Sequence, residues 1–383
     1  MRKAALAVAL AVLVGTVVVA AAVANTSGSA AASQLARCTN VSLGVNAPLT
    51  GPAGFLGQEQ LSWAQFAVSQ YNKANATRFK IVQGDSQLDA AKSRTATQRF
   101  ISNSNVMAIV GPSISQGVVT SARLITQAKL TAISPSATRT SLTTPKRISV
   151  NFFRNVPNDA KQAPQVANYV RTELKADNVV ALDSQDDYSV PLANSIASLL
   201  KRKGVKVSRE SVAATDTDFS SIVTNISGST DVVVFATQTA SQAQTLSQQL
   251  REQGKKAIVF GTDGVYSPSQ YKPRTGYVSV FAVDLHFEKS ARATVAAYNK
   301  YSGNKTFGGF GPPSYMAAWV AMAAIQKACG DGKVSRGEVR AFVRRSNVPS
   351  ILGGNVKFDS HGDLVGGKFA IYKVTNGTYS KAN

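Results

Sequence analysis

The chain has 383 residues, 44% of them hydrophobic, which is enough for two globular domains. Lysine and arginine outnumber aspartate and glutamate by 42 to 21, which gives a net charge of +21. The basic residues are scattered and mostly end predicted helices, where cations suit the helix dipole, and no basic stripe with interleaved aromatic residues occurs. The charge therefore argues against a nucleic-acid-binding protein and favours a surface exposed to an anionic cell envelope.

The N-terminus predicts export. Arg2 and Lys3 precede an apolar run over residues 4–24, and its last residues, Ala-Val-Ala, fit an A-x-A cleavage site. We therefore predict a signal peptide at residues 1–24 and a polar linker at residues 25–38. Two alternatives stay open: the apolar run is also long enough to remain as a membrane anchor, and Cys38 follows a partial lipobox that would direct lipidation.

From residue 41 onwards, short apolar runs alternate with helical segments, which predicts an α/β fold with parallel sheets. Strands of the first series are predicted at residues 41–46, 79–83, 106–110 and 130–133, with helices at 58–74, 89–102 and 116–127. A second series has strands at 178–182, 205–209, 231–236 and 257–260, with helices at 161–175, 218–226 and 241–253, and another that ends at Lys203. The C-terminal part predicts helices at 291–301, 314–329 and 335–346, followed by strand-like alternation over residues 355–379.

Two loops of the first series, Gly111 to Ser115 and Ser134 to Thr138, follow strands and carry small hydroxyl residues. In a parallel sheet, ligands bind beyond the carboxyl ends of the strands. Hydroxyl groups and free backbone N–H groups at a helix start bind a carboxylate or another small polar group. The two loops therefore predict a polar binding site at one edge of the sheet.

Seven motifs occur in an order typical of one family. They are APLTGPAG, DSQLDAAKS, IVGPSIS, ISPSAT, the DDYS loop, VFGTDG and GGNVKFDSHGDL. With these motifs the chain, from about Val41 to Tyr379, resembles the branched-chain amino acid type of solute-binding protein. These proteins are the extracytoplasmic receptors of ABC importers.

This resemblance implies a type I periplasmic binding protein, with two Rossmann-like lobes that have parallel central sheets and are joined by a three-strand hinge. Lobe one would comprise residues 39–153 and 284–354, and lobe two residues 154–283 and 355–383. Cys38 would then directly precede lobe one, which contains Cys329, and this favours a disulfide between them. The alternative of two unpaired thiols, or of one lipidated cysteine, stays open.

The resemblance also implies a ligand site between the lobes. On lobe one, Ser115, Ser136 and Thr138 would hold the carboxylate end of the ligand, and the backbone of Ser136 would also accept a hydrogen bond from its ammonium group. On lobe two, Tyr188 would close over the ligand and Asp263 would pair with its α-ammonium group, because a carboxylate complements a cation in a closed cleft.

Two positions depart from the family pattern. Gln238, a further candidate for ligand binding, stands where some members have an aromatic wall, and Leu56 lies at a loop position that is often aromatic. These departures put a leucine-type pocket for the ligand's side chain in doubt. Phe55 and Phe310 could supply apolar wall instead, whereas Trp63 fits core packing better.

Enzyme functions find little support. The G-x-S-x-G motif and the P-loop are absent, the two cysteines lack metal-ligand spacing, and nothing places either histidine beside a serine. We therefore expect a non-enzymatic, extracytoplasmic monomer that needs no cofactor or metal and binds no nucleic acid. It would bind an amino acid or similar small zwitterion and deliver it to ABC permease subunits. The alternative is a sensor ectodomain, or a receptor for an amide, urea or an aromatic acid, on the same fold.

Overall fold

The structure, a computed structural model, describes residues 40–281, 291–303 and 307–382. The predicted signal peptide and linker lie outside these ranges, and so does Cys38. Cys329 is disulfide-bonded, but its predicted pairing with Cys38 involves a residue outside the described ranges. None of the helices in the described ranges has the length and apolar character needed to cross a membrane.

The first lobe is built on five parallel strands. They are β1 Ser42–Ala47, β2 Lys80–Asp85, β3 Val106–Val110, β4 Thr131–Ser134 and β5 Phe152–Arg154. Their spatial order is β2-β1-β3-β4-β5, so the chain winds outwards in both directions from the point between β1 and β3. In such doubly wound sheets the ligand crevice opens at this switch point, beyond the carboxyl ends of the strands.

Three helices connect these strands, namely α1 Gly54–Asn75, α2 Ala90–Ser102 and α3 Ser115–Gln127. The N-terminus of α2 is capped by Asp89, whose side chain accepts a hydrogen bond from the backbone N–H of Lys92 at 2.7 Å. Helices α2 and α3 cover one face of the sheet with buried side chains that include Phe100 and Ile125. Helix α1 covers the other face with Trp63 and Phe66.

The second lobe repeats the strand–helix pattern. Its helices are α4 Asp159–Thr172, α5 Ser189–Arg202, α6 Ser220–Asn225 and α7 Ala240–Glu252, and its strands are β6 Asn178–Asp183, β7 Lys206–Ser211, β8 Val232–Ala236, β9 Ile258–Gly261 and β10 Thr275–Val280. Separate apolar clusters fill its two faces, around Phe235 on one side and Phe260 on the other.

The C-terminal part first returns to the first lobe and then rejoins the second. Its elements are α8 Arg292–Ser302, α9 Gly311–Ala328, α10 Arg336–Arg344, β11 Val348–Pro349, β12 Asn355–Val356, β13 Ala370–Thr375 and β14 Thr378–Lys381. Helix α9 packs along α1 in the first core. Strands β13 and β14 join the second sheet, whose order is β14-β13-β10-β9-β8-β6-β7.

The two lobes with central parallel sheets confirm the predicted fold class, but the second sheet is mixed at one edge. Strand β13 pairs antiparallel with both β10 and β14. Asn376 and Gly377 connect β13 to β14 with φ angles of 48° and 80°, as a two-residue hairpin turn requires. Strands β5 and β10 were not predicted at all, because β5 has only three residues and β10 mixes polar residues and a glycine with its apolar ones.

The chain crosses between the lobes at three places, and each crossing contributes to one apolar cluster. Val156 follows β5, Phe281 follows β10 and Phe369 precedes β13, and all three are buried with Leu56 and Phe310 of the first lobe. The cluster gives the crossings a common apolar contact with the first lobe.

The predicted domain boundaries stay predictions, and the one at residues 283 and 284 lies outside the described residues. Near the third crossing, β12 pairs with β11, Val356 belongs to the first core, and the ring of Phe358 contacts that of Phe153 at 5.1 Å. We therefore propose that the third crossing begins after Leu364 rather than at residue 355.

Candidate functional site

The two hydroxyl-rich loops of the first lobe lie side by side and bind each other. Ser136 Oγ donates to the backbone oxygen of Ser113 at 2.6 Å and accepts from Gln60 Nε2 at 2.8 Å. Gln60 in turn accepts from Ser113 Oγ at 2.5 Å. Ser134 Oγ donates to the backbone oxygen of Pro112 at 2.7 Å. These bonds make the loops a preformed surface, and the hydroxyl group of Ser136 is already used within it.

Gly111 is required where these loops begin. Its φ angle is +119°, and a Cβ atom at this position would lie 2.5 Å from the backbone oxygen of Asn46 at the end of β1. The neighbouring residue Ser113 donates its backbone N–H to the same Asn46 oxygen at 2.9 Å. Glycine thus allows the loop after β3 to pack on the end of β1, at the switch point of the sheet.

The other two predicted first-lobe residues, Ser115 and Thr138, are the buried last residues of these loops. Ser115 is the first residue of α3, so its side chain lies at a helix N-terminus, and its Oγ accepts from the backbone N–H of Arg139 at 3.4 Å. Thr138 Oγ1 is buried without a hydrogen bond of ordinary geometry. This hydroxyl lies beside the carboxyl group of Asp159 and lowers the pKa of that group. Beside a helix N-terminus, it is also suited to donate to a bound carboxylate.

Arg154, at the end of β5, holds the second hydroxyl loop in place. Its fully buried guanidinium group donates to the backbone oxygens of Ala137 at 3.1 Å and Arg139 at 2.8 Å. It also forms an ion pair with Asp363 at 2.6 Å and donates to Thr143. Arg154 therefore positions the loop that contains Thr138, although sequence reasoning did not single it out.

On the second lobe, Tyr188 and Asp263 contact each other directly. Tyr188 OH donates to Asp263 Oδ1 at 2.6 Å and lies 2.7 Å from Thr262 Oγ1. Gly264 permits this arrangement, since a Cβ atom there would lie 2.3 Å from the backbone oxygen of Thr237. The structure thus brings these two predicted residues together in a buried position beyond the carboxyl ends of β6 and β9.

A second carboxylate, which sequence reasoning missed, lies in the same cluster. Asp159 is the first residue of α4, and only 5% of its surface is exposed. The helix begins two residues earlier than predicted because the side chain of Asn158 caps it, accepting from the backbone N–H of Ala160 at 3.1 Å. An Asn-Asp pair before a helix was the available signal, but it also fits an ordinary cap.

Burial raises the pKa of both carboxyl groups. The pKa of Asp159 rises to about 8, first through burial and then through the charge of Asp263, although Thr138 and Arg154 act in the opposite direction. The pKa of Asp263 rises to about 6 through burial, against the lowering effect of Tyr188. Burial and the nearby Asp263 also raise the pKa of Tyr188 well above its usual value. The cluster therefore favours a cation that would compensate the two acids.

Gln238 lies at the mouth of the cleft and links the lobes. Its Nε2 donates to Gln116 Oε1 of the first lobe at 3.3 Å and to Asp186 Oδ2 of the second lobe at 3.2 Å. Close by, Arg139 and Asp187 form an ion pair across the lobes at 2.8 Å. A cavity of about 640 Å³ is lined by Gln116, Arg139, Asp186 and Asp187, among others. This side of the cleft is therefore polar, whereas some members of the family that the sequence resembles have an aromatic wall here.

Several apolar residues that were considered for the wall of the ligand pocket pack in other parts of the structure. Leu56 and Phe310 belong to the cluster at the crossings, and the ring of Phe55 meets that of Phe310 edge-on at 6.1 Å. Trp63 is buried in the first core and stacks on Tyr298 at 3.8 Å, as expected for core packing. Among the described residues, no group of three or more His, Cys, Asp or Glu side chains is arranged to hold a metal ion.

Comparison with known proteins identifies the family. Residues 40–378 match the periplasmic binding protein family. The chain belongs to this family. It consists of binding proteins, which confirms the prediction that the chain is not an enzyme. The Leu/Ile/Val-binding protein BraC3 of Rhizobium johnstonii is 26% identical over 339 residues, which cover 87% of this chain and 91% of that protein. The predicted resemblance to the branched-chain amino acid type is thereby confirmed.

Solved structures share the fold. The branched-chain amino acid transporter substrate-binding protein LivJ of Streptococcus pneumoniae, in complex with isoleucine, is 24% identical with a TM-score of 0.78, over 89% of this chain and 97% of that one. An ABC transporter solute-binding protein from R. palustris, in complex with benzoate, is 15% identical with the same TM-score of 0.78, over 90% of this chain and 95% of that one. One fold thus accommodates ligands of different chemistry, and the ligand must be argued from the site.

Proposed function

We propose that this protein is the extracytoplasmic receptor of an ABC importer and that it captures an amino acid, or a similarly small zwitterion, between its two lobes. The family membership and the relatives that bind branched-chain amino acids support the transport role. The observation that carries the zwitterion is the buried acid cluster of Asp263 and Asp159 on the second lobe. This cluster adjoins the carboxylate-binding loop of the first lobe, because Asp159 donates its backbone N–H to the backbone oxygen of Thr138 at 2.9 Å. Closure around the ligand is the motion expected of such a cleft.

Each candidate residue has a role in this proposal. Ser115 and Thr138 bind the ligand's carboxylate, while Ser136 contributes its backbone groups, because its hydroxyl is bonded to Ser113 and held by Gln60. On the opposite side, Asp263 binds the ligand's ammonium group and is oriented by Tyr188. The protein acts as a monomer and delivers its ligand to the permease subunits.

Gln238 would face the ligand's side chain at the polar end of the cleft. Because it is hydrogen-bonded to Gln116 and Asp186, this wall offers amide and carboxylate groups rather than apolar surface. A polar or hydrogen-bonding side chain therefore fits this wall better than a branched aliphatic one.

Calorimetry of the mature protein against the twenty L-amino acids tests the proposal. We expect at least one to bind, and we expect Asp263→Ala to weaken that binding by roughly 30-fold or more, because truncation of one partner of a buried charge pair costs about 2 kcal/mol or more. Asp177→Ala removes an acid whose side chain is 72% exposed and serves as the matched control. Tight binding that survives Asp263→Ala would remove the ammonium role of Asp263.

The polar wall also favours a second candidate, a receptor for an amide or urea on the same fold. Binding of such a neutral compound, together with failure of all twenty amino acids, would replace the zwitterion. The neighbouring genes separate import from sensing, since permease and ATPase genes favour import and a kinase gene favours a sensor ectodomain.

A further inference from the structure

The end of the first lobe that lies opposite the cleft collects exposed cations. The five strands of this lobe are parallel and the connecting helices run back, so the amino ends of the strands share this end with the carboxyl ends of α1, α2 and α3. Helix α9 ends there too, because it packs along α1 and Tyr71 near the end of α1 donates to Gln326 near the end of α9. This basic end carries six exposed cations, which are Lys73, Arg78, Lys80, Arg99, Lys129 and Lys327.

Few acids balance these cations. Three of the acids whose side chains are described in the first lobe lie at the cleft end, namely Glu59, Asp85 and Asp89. The other three already bind groups of the protein, since Glu338 and Asp359 accept from backbone N–H groups of their own turns and Asp363 pairs with Arg154. In the sequence, Asp331 and Lys333 add one charge of each sign.

The corresponding end of the second lobe has a different balance. It also carries exposed cations at helix ends and strand starts, among them Lys175, Lys201, Lys206 and Lys256. Four exposed acids lie among them, namely Glu173, Asp177, Asp231 and Glu252. Cations that suit the helix dipole are therefore common to both lobes, whereas the scarcity of acids distinguishes the basic end of the first.

Two exposed aliphatic side chains accompany the cations of the basic end. Ile148 and Val150 precede β5 and are 38% and 49% exposed. Ser149, between them, shares a hydrogen bond of 2.6 Å with Thr126 in the last turn of α3, so this loop lies beside Lys129. Surfaces that bind a membrane interface combine cations with apolar side chains in this way.

A cavity of about 440 Å³ opens in the same end of the lobe. Lys129 and Arg336 line it together with apolar side chains of Ile101, Met107 and Val334. Arg336 is already bonded to backbone oxygens at the end of α2, so it fixes the wall of the cavity. A cation beside an apolar wall matches the boundary between the phosphate and the acyl chains of a phospholipid.

The polypeptide also enters the first lobe at the basic end. Ser42, the first residue of β1, donates its backbone N–H to the backbone oxygen of Asn105 at 2.8 Å, directly before β3. The preceding segment, with its apolar run over residues 4–24, therefore joins the fold at this end. While that run lies in a bilayer, during export or as a retained anchor, it holds the basic end close to the membrane.

We propose that the basic end of the first lobe is a docking surface for a membrane of anionic phospholipids. Its cations bind the headgroup phosphates, and Ile148 and Val150 enter the interface between headgroups and acyl chains. Because the cleft opens at the other end of the lobe, docking leaves it accessible to the ligand. This inference goes beyond the proposed function and does not depend on which ligand the cleft binds.

Co-sedimentation of the mature protein with vesicles tests the docking surface. The vesicles consist of phosphatidylcholine alone or of phosphatidylcholine mixed with anionic phosphatidylglycerol. One variant combines four changes in the basic end, Lys73→Gln, Lys80→Gln, Lys129→Gln and Lys327→Gln. The control combines Lys175→Gln, Lys201→Gln, Lys206→Gln and Lys256→Gln in the second lobe, all exposed, and removes the same charge. Thermal unfolding followed by circular dichroism establishes that both variants keep the fold.

We expect the wild type to bind the vesicles that contain phosphatidylglycerol and not those of phosphatidylcholine alone. The four changes in the basic end should weaken this binding by roughly tenfold or more, while the control stays within about threefold. Binding should also weaken as the salt concentration rises, because salt screens the charges. Equal losses in the two variants, or no binding to the anionic vesicles at low salt, would overturn the docking surface.

A second pair of variants distinguishes a membrane from a soluble polyanion. Val150→Ser removes an exposed aliphatic side chain from the basic end, and Val365→Ser removes one that is 53% exposed at the third crossing. We expect Val150→Ser to weaken vesicle binding by roughly threefold or more and Val365→Ser to leave it unchanged. If soluble polyphosphate binds as tightly as the vesicles and Val150→Ser has no effect, the surface recognises phosphate polymers and the membrane is refuted.

Discussion

The two sides of the cleft differ in how far the protein satisfies their polar groups. On the first lobe, the hydroxyls of Ser113, Ser134 and Ser136 are all hydrogen-bonded to neighbouring loops or to Gln60. On the second lobe, Asp159 makes no side-chain hydrogen bond of ordinary geometry, and burial raises its pKa. The difference teaches that the serine hydroxyls of the first lobe supply a rigid, preformed surface, whereas Asp159 of the second lobe depends on what the protein binds to complete its contacts.

The largest effect is expected on the free energy of unfolding when Arg154, which holds the rigid loop of the first lobe, is replaced. Arg154→Leu removes the buried cation that binds the loop carrying Thr138 and leaves Asp363 without its ion pair. Breaking a buried pair in this way should lower the free energy of unfolding by about 3–5 kcal/mol, measured by urea denaturation. Arg171→Leu, whose exposed partner is Asp177, is the control and should cost about 1 kcal/mol at most. Similar losses in both variants would contradict the positioning role of Arg154.

The acids should behave in the opposite way, since their removal relieves a buried charge. Asp159→Asn should raise the unfolding free energy of the ligand-free protein by on the order of 2 kcal/mol at pH 8 while it weakens binding. Thermal unfolding in the absence of ligand measures this change. Destabilisation by Asp159→Asn would mean that Asp159 supports the fold rather than the ligand.

The pH dependence of stability follows from the raised pKa values, about 8 for Asp159, about 6 for Asp263 and about 7 for Glu59. Glu59 is a half-buried residue of α1 that accepts from the backbone N–H of Gly311, the first residue of α9, at 2.6 Å. The folded protein then binds more protons than the unfolded chain between about pH 4 and 8, so its stability should fall as the pH rises through this window. Urea denaturation at several pH values should show a flatter slope between pH 6 and 8 for Asp159→Asn. An unchanged slope would contradict the raised pKa of Asp159.

A smaller effect distinguishes two hydroxyl groups of the same loop. Thr138→Val removes a hydroxyl that has no hydrogen bond of ordinary geometry, so it should weaken ligand binding by roughly tenfold with little change in stability. Ser136→Ala removes a hydroxyl bonded to Ser113 and Gln60, so it should lower stability by about 1 kcal/mol. Calorimetry and urea denaturation of both variants check this contrast, and the reverse pattern would refute the assignment of the two hydroxyls.

The smallest effect concerns the ion pair at the mouth of the cleft. Arg139 and Asp187 are 25% and 44% exposed and lie on different lobes, so Asp187→Asn should weaken binding by no more than about threefold, and less at high salt. Asp177→Asn breaks an exposed pair within one lobe and should leave affinity unchanged. Affinity measured at two salt concentrations decides whether the pair across the lobes contributes to closure.

The sequence revealed the functional residues that a local pattern marks, and it missed those whose role depends on contacts with distant parts of the chain. The loops with Ser115 and Thr138, and the Asp263 turn, could be found because each directly follows an apolar strand. Asp159 was missed because an acid at a helix start usually serves as a cap, and nothing local shows that it is buried. Arg154 was missed for a similar reason, since its partners lie in loops distant in sequence and in the C-terminal segment around Asp363.

The second sheet shows the same limit at the level of the fold. Its parallel strands β6, β8 and β9 were predicted, whereas the antiparallel edge depends on β10, which was not predicted, and on its pairing with β13 about 95 residues later along the chain. Local periodicity therefore indicated two series of alternating strands and helices, but not how the C-terminal hairpin completes the second sheet.

A crystal structure of the protein with the tightest-binding amino acid tests the central claim most directly. We predict that the ligand's ammonium nitrogen lies within about 3 Å of carboxylate oxygens of both Asp159 and Asp263, and that its carboxylate meets Ser115 and Thr138. An ammonium group turned away from both acids, or a carboxylate on the side of the second lobe, would contradict the account.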